Sequence, residues 1–66
     1  MSILGDNIKF YRKQIPLTQK ELATRMQLDK TTIVKYETGD REPSIDILKR
    51  LADIFDVTLD ELVGRE

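Results

Sequence analysis

Two Thr-x-x-Glu segments, Thr18-Gln19-Lys20-Glu21 and Thr58-Leu59-Asp60-Glu61, constrain this chain more than any other feature. In such a box the threonine hydroxyl accepts the amide three residues on, and the glutamate reaches back to the threonine amide. Each box therefore marks the start of a helix. Two further starts lie between them. Asp29 is a cap whose carboxylate accepts the amide of Thr31 or Thr32 and suits the positive end of a helix dipole. Ser44, after Pro43, is the other. The stops are equally local: Pro16 disfavours the helical conformation of the residue before it, and Gly39 and Gly64 are left-handed stops. A chain of 66 residues punctuated this often has room only for short helices.

Apolar periodicity fills the intervals. Leu4, Ile8, Tyr11 and Ile15 recur at helical spacing, giving a first amphipathic helix from about Ile3 to Gln14. Leu22, Ala23 and Met26 face inward on the second helix, Ile33 and Tyr36 on the third. The fourth has Ile45, Leu48, Leu51, Ala52 and Phe55 on its core line, and the last runs through Val63. No strand pattern, repeat, linker or low-complexity stretch is present. The expectation is one all-α domain of five short helices over residues 1–66.

Composition narrows the function. The chain has no Cys and no His, which removes disulfides, a Cys/His zinc site and most nucleophile or general-base arrangements. A domain this small also leaves little room for a substrate pocket. No enzyme activity, metal, cofactor or small-molecule substrate is expected. The acids Asp53, Asp56, Asp60 and Glu61 read as caps and solubilising charge rather than as a carboxylate site. No apolar run approaches the roughly 20 residues of a membrane span, and the N-terminus lacks a basic leader region, so a cytoplasmic protein is expected. The net charge of −1 hides an asymmetry. Residues 9–41 hold eight basic and four acidic residues, a balance of +4; residues 42–66 hold three basic and seven acidic, a balance of −4. One half is basic and the other acidic.

Residues 19–38 read as helix, tight turn, helix. Only Gln27-Leu28-Asp29 separate the two helices, so they cross steeply. Ala23 is small enough for the close approach, and Leu22, Leu28, Ile33 and Tyr36 fill the angle. In order and register the chain carries Ile8…Tyr11-Arg12, Leu17-Thr18-Gln19-Lys20-Glu21-Leu22-Ala23, Thr32-Ile33-Val34-Lys35-Tyr36-Glu37-Thr38-Gly39, Arg41-Glu42-Pro43-Ser44, Leu48…Leu51-Ala52 and Val57-Thr58-Leu59-Asp60-Glu61-Leu62. This pattern resembles the Cro/phage-repressor (XRE-like, lambda-repressor-like) helix-turn-helix domains over nearly the whole chain. Two positions depart from it: Gln27 stands where a turn glycine is common, so Gln27 has to take a left-handed conformation, and Ile15-Pro16 replaces a loop glycine. The resemblance implies sequence-specific binding of double-stranded operator DNA, usually as a homodimer, to control transcription as a bacterial or phage repressor does.

In this motif the second helix lies in the major groove, with its N-terminal residues at base edges. Lys30, Thr31, Val34 and Lys35 fall opposite Ile33 and Tyr36 and are the expected base contacts. Lysine donates to guanine O6 and N7, Thr31 bonds a base or phosphate, and Val34 meets a thymine methyl. Gln19, at a helix N-terminus, is placed to clamp a phosphate, with Thr18 and Lys20 beside it. Thr32 is assigned to a phosphate or to the helix cap. Thr38 and Arg41 are placed to meet the backbone across the groove, although Asp40 and Glu42 oppose phosphate there. The resemblance implies that Arg12 and Glu37 join the first and third helices as a partly buried ion pair.

One recognition helix reads few base pairs, so a two-fold homodimer with half-sites about 34 Å apart is expected. Ile47 and Ile54 form a second apolar stripe on the fourth helix. With Leu59 and Val63 they are the expected dimer surface in the acidic half. The alternative is a protein-interaction module or antitoxin-like regulator on the same fold, with weak or no DNA binding of its own.

Overall fold

The structure, a computed structural model, describes residues 3–64. Five helices follow in order: α1 (Ile3–Gln14), α2 (Gln19–Met26), α3 (Lys30–Thr38), α4 (Ile45–Phe55) and α5 (Leu59–Val63), with no strand among the described residues. The all-α, five-helix expectation holds. None of the described helices is long and apolar enough to cross a membrane.

Most helix ends follow from the local sequence. The Thr18 and Thr58 hydroxyls accept the Glu21 and Glu61 amides at 3.0 Å. The two glutamates accept the threonine amides at 2.9 and 3.0 Å. Ser44 Oγ accepts the Ile47 amide at 3.3 Å. Asp29 corrects the expectation. It occupies the N-cap position of α3 with an extended backbone, but its side chain makes no cap bond. The carboxylate is exposed, where hydration replaces a single hydrogen bond at little cost. At the other ends Gly39 and Gly64 take the left-handed conformation, and so do Gln27 and Asp56, both at φ 56°. That conformation costs a side-chain-bearing residue about 1–2 kcal/mol.

Every helix contributes to one core. Ile8, Leu22, Ala23, Met26, Ile33, Tyr36, Leu51, Ala52, Phe55 and Leu62 form a single buried cluster. Each fully enclosed aliphatic side chain contributes about 1.5–3 kcal/mol relative to an exposed one. That packing is what holds helices too short to persist alone. Two expected core residues lie outside it. Ile15 is 38% exposed, because α1 has already ended at Gln14. Ile45 is 57% exposed at the first position of α4, while Pro43, two residues earlier, is buried. The second stripe on the acidic half is half-buried: Ile47, Ile54 and Leu59 rest against the core, and Val63 is intermediate.

Candidate nucleic-acid interface

Ala23, the small residue expected at the α2–α3 crossing, is buried. The chain leaves α2 by a tight reversal. Gln27 N–H donates to the Thr24 carbonyl at 3.1 Å, and Leu28 N–H to the Ala23 carbonyl at 2.9 Å. This pair of bonds satisfies the last carbonyls of a helix when the next residue is left-handed. Gln27 adopts that conformation without a glycine. Leu28 then packs against the core and α3 departs from Asp29.

The geometry divides α3 into two faces. Ile33, Tyr36 and Glu37 are buried. Lys30, Thr31 and Lys35 are exposed, and Val34 and Thr32 are half-buried at the margins. Among the described residues neither Lys30 nor Lys35 is held by a carboxylate. Three of the four expected base-reading residues are therefore exposed, and Val34, which falls between Lys30 and Thr31 in helical rotation, is half-buried.

The surrounding polar residues are partly committed. The Thr18 hydroxyl serves the α2 cap, and Lys20 is exposed. Thr38 Oγ1 donates to the Lys35 carbonyl at 3.2 Å and accepts the Asp40 amide at 3.4 Å. Arg41 is exposed, and its backbone amide donates to the Lys35 carbonyl at 3.3 Å. Gln19 turns inward instead of projecting from α2. Its Nε2 donates to Glu37 Oε1 at 3.2 Å, and the residue is half-buried. One of its two amide hydrogens stays open to another acceptor.

Arg12 and Glu37 meet in a two-pronged ion pair. Arg12 Nε donates to Glu37 Oε2 at 2.7 Å and Nη2 to Oε1 at 3.2 Å. Both side chains are enclosed, 8% and 4% exposed. Arg12 Nη1 also donates to the Leu17 carbonyl at 2.7 Å, while the Leu17 amide donates to the Arg12 carbonyl at 2.9 Å. The carboxylate thus takes bonds from α1 and, through Gln19, from α2. A guanidinium fork matches a carboxylate in this way where a lysine would not. No buried side-chain nitrogen or oxygen among the described residues lacks a partner. At the start of α2, Glu21 has its pKa lowered, first by the backbone amide of Thr18 and then by its side chain.

Three positions were not singled out by sequence reasoning. Gly5 is buried where α1 crosses the last turn of α3: a Cβ there would lie 2.7 Å from the Tyr36 carbonyl oxygen and nearer still to that of Glu37. Its one sequence signal is a poor helix former in register with Ile8 and Arg12. Asn7 Nδ2 donates to the Leu62 carbonyl at 3.1 Å, tying α1 to α5. Arg50 Nη2 donates to the Met26 carbonyl at 2.8 Å, closing the end of α2 from α4.

Comparison with known proteins agrees with this geometry. A family model described as helix-turn-helix matches residues 8–62. The HTH-type transcriptional regulator AnsR of Bacillus subtilis is 41% identical over 61 residues, covering 92% of this chain and 53% of AnsR. The HTH-type transcriptional regulator ImmR of the same organism is 32% identical over 63 residues, covering 96% and 50%. The cryptic phage CTXphi transcriptional repressor RstR of Vibrio cholerae is 37% identical over 54 residues, covering 82% and 48%. The chain spans about half the length of these relatives. From the crossing of α2 and α3, the faces of α3 and the family match, the chain belongs to the helix-turn-helix family.

Proposed function

We propose that the chain binds double-stranded DNA sequence-specifically through α3 and regulates transcription as a repressor, from the cytoplasm. One observation carries this reading: Lys30, Thr31 and Lys35 stand exposed on one face of a helix whose other face is locked into the core. Relatives named as transcriptional regulators and a phage repressor support it. In this reading Lys30, Thr31, Val34 and Lys35 read bases in the major groove. Thr18, Gln19, Lys20, Thr32, Thr38 and Arg41 approach phosphates with side chains or backbone amides. Gln19 does so with its second amide hydrogen, the first being engaged by Glu37. Two copies bind a pseudo-palindromic site, meeting through the exposed parts of Ile47, Ile54, Leu59 and Val63. The acids around that surface keep the free dimer weak.

The test begins with selection of bound sequences from random duplexes. Lys30→Ala and Lys35→Ala should each lose about 1–3 kcal/mol on the selected site and relax preference at particular base pairs. An equal loss on selected and random DNA would reduce both residues to phosphate contacts. Affinity should fall with salt at a log-log slope of about −0.9 per phosphate neutralised. A parent chain that selects no sequence and shows no salt slope would be an interaction module instead. Sedimentation with a two-half-site duplex checks the assembly. One chain per duplex would refute the dimer, and unchanged cooperativity in a folded Ile54→Asp/Leu59→Asp variant would refute this interface.

A further inference from the structure

We propose that Gly5 is a positioning residue for DNA recognition: the bare backbone of α1 there sets how α3 stands and so whether its basic face fits the groove. The inference rests on the DNA-binding reading above. A Cβ at Gly5 would meet the Tyr36 carbonyl oxygen at 2.7 Å, the Glu37 carbonyl carbon at 2.9 Å and the Glu37 carbonyl oxygen closer still. These are backbone atoms, which cannot swing aside as a long side chain can. The two helices approach this closely only because residue 5 has no side chain.

The contact lies at one end of α3, and Lys30 lies at the other. At 1.5 Å per residue, the two are separated by roughly 10 Å along the helix axis. The same end is held from the side by the Arg12–Glu37 pair and by Gln19. A methyl group at Gly5 therefore pushes on the tethered last turn and re-aims the first turn, which the chain joins to α2 through Gln27, Leu28 and Asp29. Gly5 touches no DNA in this arrangement. It acts through α3.

The experiment compares Gly5→Ala with Ile8→Val, which trims a fully buried side chain on the same helix without adding bulk. Residual dipolar couplings on each free protein report the α1–α3 orientation. Binding to the selected duplex and to random duplex, under conditions where each variant is fully folded, reports recognition. Gly5→Ala should reorient α3 and lose about tenfold in its preference for the selected site, the equivalent of one missing base contact. Ile8→Val should do neither. An α3 that keeps its orientation in Gly5→Ala overturns the proposal, and so does a reoriented α3 with undiminished preference. Should Gly5→Ala not fold, the parent chain decides. Nuclear Overhauser effects from the Gly5 α-protons to the Thr38 amide support the close approach, and their absence overturns it. A parent chain without sequence preference overturns the DNA-binding reading, while the couplings still report whether residue 5 sets the helix.

Discussion

Glu37→Ala is the most demanding perturbation of this molecule short of cutting its core. The wild-type carboxylate accepts two bonds from Arg12 and one from Gln19, with both members of the ion pair nearly sealed from water. Truncation leaves the guanidinium with the Leu17 carbonyl as its remaining acceptor. An unpaired buried charge of this kind costs about 3–5 kcal/mol. A domain of this length has about 3–10 kcal/mol in total, at the usual stability per residue. The variant should therefore lose about a third or more of its total stability, and unfold at room temperature if that total lies at the low end. Urea denaturation followed by circular dichroism measures the loss. The double replacement Arg12→Met/Glu37→Leu removes both charges together and should recover most of it, because an apolar pair of similar volume is often as stable as a buried ion pair. A Glu37→Ala loss below about 1 kcal/mol would refute the claim that the charge is buried and unpaired. Additive losses in the cycle closed by Arg12→Met and Glu37→Leu as single variants would show that the two side chains are not coupled.

Three other outcomes are expected. Gln27→Gly should stabilise the domain by about 0.5–1 kcal/mol in the same urea assay, since relief of the left-handed strain exceeds the extra freedom of glycine in the unfolded chain. Arg50→Ala should cost about 1 kcal/mol, below the usual range for a charged hydrogen bond because Arg50 is exposed and water can replace it at the Met26 carbonyl. Glu21 has a folded-state pKa below its unfolded one, so its contribution is present above the unfolded value and disappears as the pH falls through the folded one. Stability measured downward through the carboxylate range should flatten in Glu21→Gln, and an unchanged profile would contradict the assignment.

What was legible in the sequence was what is decided within a few residues. The Thr18 and Thr58 boxes, Ser44, and the stops at Gly39 and Gly64 depend on neighbours in the chain, and they stand where the pattern puts them. Gln27 was legible as a left-handed position only through the resemblance, which has a turn glycine there, whereas Asp56 read as a cap or solubilising charge with nothing to mark its backbone as left-handed. Ile45 fits the apolar period of α4 but lies in its first turn, where the core ends, and period alone does not report where a core ends. Gly5 and Arg50 were invisible for another reason. Their partners are carbonyls of helices far away in sequence, and a carbonyl has no sequence signature. The open face of α3 could be read from rotation; the inward turn of Gln19 could not, because it depends on where the Glu37 carboxylate ends up.

The joint at Glu37 also bears on how the molecule opens. α3 is only nine residues long and exposes one face to water, so on its own it would fray within microseconds. Yet its last turn is fastened from α1 by Arg12 and from α2 by Gln19, and Tyr36 beside it is buried in the shared core. Local opening of that turn would break all of these together. Amide protons at the end of α3 should therefore exchange with solvent only when the whole domain unfolds, placing a helix with one face open to water in the slowest-exchanging unit of the protein.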